Sequence, residues 1–339
     1  MRLWRIVLAL AVLGIGVTPA WACACGGYLP DAQSRARAYG ENAFVRQDAG
    51  TEQITLSMAI NGESKKAAWI MPVPAAAKVE LGDSELFYRL NQLTRPKTVI
   101  RHTYWPFRNV GLGRSDSAGS AAAPGAGVNV RQQMVLGPFQ VARLDGSSGS
   151  AVTDWLRTNG YVVPATLAAN LTPYLSEKWE IVAVKLAPKR AGETMYGATP
   201  PLKLTFASDR IVYPMRLSKG ATTPQTVTVY VATAHRVDAT KSPSAEVKPE
   251  LLFAGRVEDA ALTAPADYLT AYTATYNEPG RISDDFTFAA AANDDSFQRV
   301  DYVTRNDGSW STIGVLVVLL GAVVVLVWRL STGRARRRA

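Results

Sequence analysis

The chain has 339 residues, of which 47% are hydrophobic, with a formal net charge of +9 and two cysteines. Seven of the 37 Lys and Arg residues lie in the two terminal segments, which leaves 30 basic against 28 acidic residues in between. A nucleic-acid surface needs a concentrated basic face, so we expect no nucleic acid among the partners. Two cysteines also exclude a disulfide framework as the main source of stability.

The N-terminus has the pattern of a secretory signal. Two arginines precede the apolar run Ile6–Val17, and Ala20-Trp21-Ala22 follows it. This arrangement predicts a cleaved signal peptide over residues 1–24, with cleavage after either Ala22 or Ala24. The alternatives are an uncleaved N-terminal anchor and a lipid-attachment signal, which the bulky tryptophan fits poorly.

The body, which we predict to span residues 25–277, begins with strand patterns. Gln53–Ile60 alternates apolar and polar residues, as is typical of a half-buried strand. Asn61-Gly62 predicts a tight turn, and Ala67–Val73 is expected to return as the second strand of a hairpin. Because Pro72 cannot donate a backbone hydrogen bond, that second strand should end there or lie at a sheet edge.

Three segments of the body have helical patterns. Asp83–Leu93 and Ser150–Asn159 place apolar residues three and four apart. Pro164–Lys178 predicts a further helix or a pair of turns. Gly111–Gly127 is rich in Gly, Ala and Ser and predicts a mobile loop. The body is therefore expected to be one domain or two subdomains split near residues 111–129.

The second half of the body is dominated by β patterns in which Val, Ile, Thr and Tyr are frequent. Candidate strands are Trp179–Leu186, Leu202–Phe206, Ile211–Leu217, Val227–Ala232 and Leu251–Phe253. Strands and helices do not alternate regularly, and no Gly-rich phosphate loop joins a strand to a helix. The predicted fold class is therefore α+β, a mainly antiparallel β body with two or three helices, plus one C-terminal transmembrane helix.

The C-terminal segment predicts the membrane topology. Residues 278–309 are polar and predict a stalk, whereas Ile313–Val327 contains no charged side chain. Residues 310–328 predict a transmembrane helix, because a helix of that length spans ~28 Å, close to a bilayer's hydrocarbon core. The Arg-rich tail, residues 329–339, is expected in the cytoplasm, since arginines beside a span resist translocation. We therefore predict a single-pass cell-membrane protein with an extracytoplasmic body.

Cys23 and Cys25 are the candidate thiol residues. If cleavage follows Ala22, the mature chain begins with both thiols, which can pair with each other only in a strained and easily reduced ring. If cleavage follows Ala24, Cys25 remains alone and suits a disulfide-linked homodimer. Metal sites need three or four ligands, so these two residues predict no metal, and we expect no cofactor.

No catalytic residue can be named from the sequence. His102 and His235 are the only histidines, and each would need a carboxylate and a nucleophile from elsewhere in the fold to act as a general base. Carboxylate pairs such as Asp284-Asp285 suit a glycosidase in principle, but carboxylates are common and no spacing distinguishes a pair. An ordinary surface or core role is the alternative for both histidines.

Tyr104 and Trp105 are the candidates for an exposed contact with a partner. They lie beside a proline and a phenylalanine and close to the predicted mobile loop. Trp69, Trp155 and Trp179 instead lie inside apolar patterns, so we expect them in the core.

Several motifs along the body are distinctive in combination: Cys25-Gly26-Gly27, Ala68–Pro74, Trp155-Leu156 with Gly160-Tyr161, Pro201-Leu202, Tyr213–Leu217 and His235-Arg236. Together they resemble the motifs of the bacterial domain-of-unknown-function family number 2330. The resemblance extends from about Cys23 to about Arg236, and it implies an exported bacterial surface protein without implying an activity. Some relatives have a second cysteine shortly after the Cys-Gly-Gly, whereas here Tyr28-Leu29-Pro30 follows.

Three hypotheses follow for the function. The first is a membrane-tethered module that binds or organises a component of the bacterial cell envelope, with the membrane and an envelope component as partners. The second is a cell-envelope hydrolase whose site has no recognisable motif. The third is thiol or redox chemistry at the mature N-terminus.

Overall fold

Strands are the commonest regular elements in the computed structural model, which describes residues 27–31, 34, 36–103, 129–136, 139–145, 149–161, 163–187 and 194–335. The helices in these residues are α1 (Leu86–Thr94), α2 (Gly149–Thr158), α3 (Leu167–Ser176), α4 (Ala260–Thr263) and α5 (Ser309–Ala335), with 3₁₀ turns at Arg216–Gly220 and Pro279–Arg281. The strands are β1 (Gly27–Pro30), β2 (Arg37–Asp48), β3 (Thr51–Ser64), β4 (Ala67–Val73), β5 (Lys78–Leu81), β6 (Lys97–Thr103), β7 (Asn129–Leu136), β8 (Phe139–Asp145), β9 (Glu180–Leu186), β10 (Met195–Ala198), β11 (Leu202–Ala207), β12 (Ile211–Tyr213), β13 (Gln225–Thr233), β14 (Val237–Lys241), β15 (Glu250–Arg256), β16 (Tyr268–Tyr276), β17 (Phe286–Ala290), β18 (Phe297–Gln298) and β19 (Val300–Asn306).

The described residues form two compact units. The larger contains those up to Arg95 and those from 129 to Phe297, and the smaller contains 96–103 and 298–335. The smaller unit consists of the two-stranded sheet β6–β19 and the helix α5.

The first sheet of the larger unit has the strand order β1-β4-β9-β8-β7, and all its neighbours are antiparallel. Successive side chains of a strand point to opposite faces, so β4 supplies two cores. Trp69 and Met71 pack into the core shared with the second sheet. Ala68 and Ile70 pack with α2 and α3 on the other face.

The second sheet has the strand order β18-β15-β16-β13-β2-β3-β11-β5, and β10 also pairs with β3. Its inner face packs against the first sheet and against the small sheet β12-β17-β14. Its outer face buries Phe44 and Tyr230 under α1, where Leu86 and Leu90 are also buried. The larger unit is thus layered as helices, sheet, sheet, helices, and the predicted α+β class with mainly antiparallel sheet is confirmed.

Most predicted elements of the body occur where they were expected. α1, α2 and α3 correspond to the three helical patterns, and α3 continues through Pro173. The alternating residues of Gln53–Ile60 lie in β3, with Ile54 and Leu56 buried. The prediction for Pro72, that its strand ends there or lies at a sheet edge, is not confirmed, because β4 continues to Val73 and lies between β1 and β9 in its sheet. Pro72 itself pairs with Ile181 of β9, while the described part of β1 pairs only as far as Ile70.

The predicted hairpin between β3 and β4 is wrong. β3 continues through Asn61-Gly62 to Ser64, where Gly62 adopts a positive φ of 86°. β4 then joins the other sheet instead of pairing with β3. β3 instead forms a hairpin with β2, and the two strands are joined by the two-residue turn Ala49-Gly50. Both turn residues have a positive φ, because such a turn matches the right-handed twist of the flanking strands.

The predicted stalk over residues 278–309 is also wrong in its first part. β17 lies within this segment and pairs with β12 and β14, and Ile282, Phe286 and Phe288 are buried in the main core. The acidic pair Asp284-Asp285, which made the segment look solvated, has basic partners in the body: Lys241 contacts Asp284, and Arg216 contacts Asp285. Residues 278–297 therefore belong to the larger unit.

The signal peptide 1–24 and the loop Gly111–Gly127, with most of the subdomain boundary predicted near it, lie outside the described residues and stay predictions. Within the described residues, the helix α5 contains the predicted span and continues to Ala335.

Candidate functional site

The most exposed apolar surface in the described residues is the C-terminal helix α5. Trp310–Leu330 is long and apolar enough to cross a membrane, and none of it is buried. Trp310 and Trp328, at the ends of the segment, are 81% and 64% exposed. An exposed apolar surface of this size is unstable in water. The helix is therefore compatible with a single-pass membrane anchor.

A buried network surrounds Asp285, at the start of β17. Its Oδ1 accepts hydrogen bonds from the Tyr174 hydroxyl at 2.5 Å, the Met215 N–H at 2.7 Å and the Arg216 N–H at 3.1 Å. Its Oδ2 accepts a fourth from Arg216 Nε at 2.8 Å. The carboxylate side chain is only 5% exposed, so these four donors replace its hydration.

Arg216 completes this network on its outer side. Its terminal nitrogens form a two-pronged contact with the Glu177 carboxylate, and its guanidinium lies 4.0 Å above the centre of the Tyr174 ring. Burial raises the pKa of Tyr174 well above its ordinary value, and the Asp285 charge raises it further. The hydroxyl therefore keeps its proton, and Arg216 has no means of releasing one. The network is a structural joint between α3, the turn after β12, and β17.

A second cluster on the larger unit contains a histidine–carboxylate pair. His235 Nδ1 lies 2.9 Å from Asp294 Oδ2, and the Arg236 N–H donates to Asp294 Oδ1 at 2.9 Å. Arg256 Nη2 donates to the same carboxylate at 3.3 Å. The hydrogen bond from His235 is the main cause that lowers the pKa of Asp294. The imidazole side chain is 70% exposed, so this pair is open to a ligand from solvent.

A similar pair occurs in the smaller unit. His102 Nδ1 contacts the Asp307 carboxylate, whose other oxygen accepts a hydrogen bond from Arg305 Nε at 2.9 Å. The contact with His102 is again the main cause that lowers the carboxyl pKa. Sequence reasoning named both histidines but neither aspartate, because each partner lies 59 or 205 positions away along the chain.

These two pairs supply part of a catalytic arrangement. A carboxylate that holds an imidazole through Nδ1 can orient it as a general base. Among the described residues, however, no hydroxyl or thiol hydrogen-bonds to either ring. The described part of the chain likewise has no group of three His, Cys, Asp or Glu side chains placed to hold a metal ion.

Glu52, in β3, is a buried carboxyl that no sequence motif distinguishes. Its Oε1 accepts a hydrogen bond from the Val212 N–H at 3.1 Å, while Oε2 has no hydrogen-bond partner within the usual distance among the described residues, although the nearby Ser208 side chain lowers the pKa of the carboxyl. Burial raises the pKa of Glu52 to about 8, so the side chain is mainly protonated at neutral pH. A buried acid can have a catalytic role, but this one is closed off from solvent.

The predicted thiol residues and the predicted exposed aromatic contacts are not in the described part of the chain. Cys23, Cys25, Tyr104 and Trp105 all lie outside the described residues, so their roles stay predictions. The expected core tryptophans are confirmed. Trp69 and Trp179 are buried, and the half-buried Trp155 packs against the helical side of the first sheet.

The fold and the terminal helix together define an α+β body with one candidate membrane span among the described residues. The chain belongs to the DUF2330 family, described as uncharacterized proteins conserved in bacteria, whose model matches residues 19–289. That match extends past the acidic pair at Asp284-Asp285, in agreement with the place of β17 in the core.

Other comparisons add little. No curated protein matches the chain. Among solved structures, the crystal structure of baculovirus P35 is similar, with a TM-score of 0.29 and 9% identity over 80% of this chain and 98% of that chain. A likeness this weak carries no argument about fold or function.

Proposed function

We propose that the protein is a membrane-tethered extracytoplasmic module that binds or organises a component of the bacterial cell envelope. The observation that carries this proposal is the exposed apolar helix α5, which begins three residues after the end of strand β19. A protein that needed no membrane would have to cover such a surface with its own core or with a partner.

The orientation in this proposal comes from the two ends of the chain. A secretory signal over residues 1–24 sends the body across the membrane, and five arginines after the span keep the tail in the cytoplasm. In the proposed arrangement, residues 25–308, which include the larger unit and the strands β6 and β19, are extracytoplasmic, and residues 310–328 cross the membrane.

Membrane fractions test the anchor and its orientation. Alkaline carbonate should leave the full chain in the membrane pellet and should release a chain that ends after Gly308. Protease added to intact cells without an outer membrane barrier should remove the body and spare a small C-terminal fragment. Release of the full chain by carbonate would refute the anchor, and an uncut body would refute the orientation.

Cross-linking in the native membrane tests the binding role. The full chain should capture an envelope component that a matched anchor, made of residues 298–339 behind the same signal peptide, does not capture. If both capture the same material, the body contributes no binding and the module proposal fails.

A hydrolase is the second candidate, favoured by the contact between His235 and Asp294. In this case the exposed imidazole would act as a general base on a bound water or on a substrate hydroxyl. His235→Ala and Asp294→Asn should each abolish hydrolysis of isolated envelope material, whereas Asp295→Asn should leave it unchanged. Absence of any hydrolysis by the wild-type chain would remove this candidate.

The N-terminal thiol is a separate proposal with its own test. If Cys25 links two copies, the mature protein should migrate as a dimer on a non-reducing gel, and Cys25→Ser should migrate as a monomer. A mature N-terminus beyond Cys25 would exclude both the dimer and any thiol chemistry there.

A further inference from the structure

The two-stranded sheet of the smaller unit leaves apolar side chains uncovered. β6 and β19 pair in parallel along seven residue pairs, from Val300 with Lys97 to Asn306 with Thr103. Within the described residues neither strand pairs with any other. Parallel strands are normally buried on both faces, and an isolated pair of strands is marginal in water. We therefore expect the ribbon β6–β19 to be stabilised by another surface that packs against it.

The two faces of this ribbon differ in charge. Alternation along the strands and the observed register put Lys97, Val99, Arg101, Val300 and Tyr302 on one face, which we call the basic face. Its five side chains are exposed and include no carboxylate. The contact of the Arg101 guanidinium with the Tyr302 ring, at 3.7 Å from its centre, agrees with this assignment.

The opposite face is mixed in charge. It contains Ile100, His102, Asp301, Val303 and Arg305. Here the cations have anionic partners, since Arg305 and His102 both contact Asp307. Lys97 and Arg101 have no such carboxylate partner among the described residues. The basic face is thus the one that suits an anionic surface.

The ribbon is also close to the membrane span along the chain. β19 ends at Asn306 and α5 begins at Ser309, so only Asp307 and Gly308 separate them. Two extended residues reach roughly 7 Å. Trp310, in the first turn of α5, is the type of residue that marks the boundary between lipid and water. The end of the ribbon therefore lies within one headgroup layer of the span.

We infer that the basic face lies on the anionic headgroup surface of the membrane that α5 enters. This inference rests on the proposed membrane anchor. Each basic side chain beside an anionic surface favours the bound state by about fivefold, so Lys97 and Arg101 together supply about 25-fold. Tyr302 adds a ring with one apolar and one polar end, which favours the same boundary. Lipid then covers the apolar residues that the fold leaves open.

Two labelled variants test which face meets the membrane. Tyr302→Cys and Val303→Cys place a fluorophore on the basic face and on the opposite face, at positions that are 56% and 51% exposed. The full chain, with Cys23 and Cys25 changed to serine, is reconstituted in vesicles that contain phosphatidylglycerol. Iodide in the water should quench the label at position 302 at least fivefold less than the label at 303. Val300→Cys, which retains Tyr302, should behave like the label at 302.

Charge variants provide the matched control. Lys97→Glu with Arg101→Glu should restore quenching at position 302, because it repels the headgroups, and high salt should act in the same direction. Arg305→Glu changes one charge on the opposite face and should have no effect at 302. Vesicles of phosphatidylcholine alone should also remove the protection.

Three outcomes would overturn the inference. Equal quenching at positions 302 and 303, in chains that resist carbonate extraction, refutes the ribbon contact but leaves the anchor intact. Protection that is independent of lipid charge and grows with protein density means that a second copy covers the face. Extraction of the chain by carbonate refutes the anchor itself, and with it the lipid contact.

Discussion

Removal of the Asp285 carboxylate should destabilise the larger unit more than any other single change to its charged residues. In Asp285→Ala the Met215 N–H and the Tyr174 hydroxyl lose their shared acceptor in a site that is closed to water. Arg216 retains Glu177, so its charge does not become fully unpaired. The change in stability of this variant therefore reports mainly the loss of a hydrogen-bond acceptor, and only to a small extent the loss of a partner for the Arg216 charge.

The size of the effect follows from the four hydrogen bonds. A buried donor left without an acceptor costs about 1–3 kcal/mol, and two such donors remain after the change. Two such donors together give about 2–6 kcal/mol for Asp285→Ala. Asp285→Asn keeps an oxygen for the backbone donors and loses only the contact with Arg216 Nε, so we expect about 2 kcal/mol there.

Urea denaturation of the full chain in detergent, followed by tryptophan fluorescence, measures these values. Trp179 reports locally, because its ring centre is 4.9 Å from that of Tyr174. Asp284→Ala is the matched control. That neighbour is 41% exposed and accepts hydrogen bonds from Lys241 and from the Asp285 N–H, so its loss should cost about 1 kcal/mol. Equal costs at 284 and 285 would refute the assignment of Asp285 as the joint.

Three further predictions concern other parts of the chain. The free energy of unfolding should fall as pH rises from 4.5 to about 8, because Glu52 releases its proton near pH 4.5 in the unfolded chain but keeps it up to about pH 8 in the folded one. In Glu52→Gln, the free energy of unfolding measured by denaturation should no longer show this dependence on pH. A chain that ends after Gly308 should leave the membrane fraction and keep the denaturation midpoint of the larger unit, and a lower midpoint would contradict the independence of α5. Gly149→Ala should cost about 1–3 kcal/mol in urea denaturation, since its Cβ would lie 2.4 Å from the Ala168 carbonyl oxygen. Gly280→Ala, with nothing within 4 Å, should be neutral beside it.

Local patterns in the sequence were sufficient for the elements whose burial is one-sided. In β3 the residues Ile54 and Leu56 alternate with more polar ones and face the main core, as a period of two requires. The end of α2 was equally local, because Gly160 adopts a φ of 78° that side-chain-bearing residues rarely tolerate. Such features depend on neighbours a few positions away, which a sequence displays directly.

The errors arose where a distant partner decides the structure. Asp284-Asp285 looked like part of a solvated connector, since a carboxylate pair is normally exposed. The burial of Asp285 depends on Arg216, 69 positions earlier, and the sequence does not show that pairing. The hairpin error has the same origin. Asn61-Gly62 is a good local turn, but the pairing of β4 with β1 and β9 places that strand in another sheet.

The parallel pairing of β2 with β13 determines when the second sheet can form during synthesis of the chain. Gly40 pairs with Thr226, so the seam in the middle of the second sheet has to wait until about two thirds of the chain has left the ribosome. Until then the nascent β2–β3 hairpin keeps an unsatisfied backbone edge, the kind that invites pairing with other chains. A chaperone that shields nascent chains would be needed longest at that edge, and stalled or truncated chains should aggregate through it.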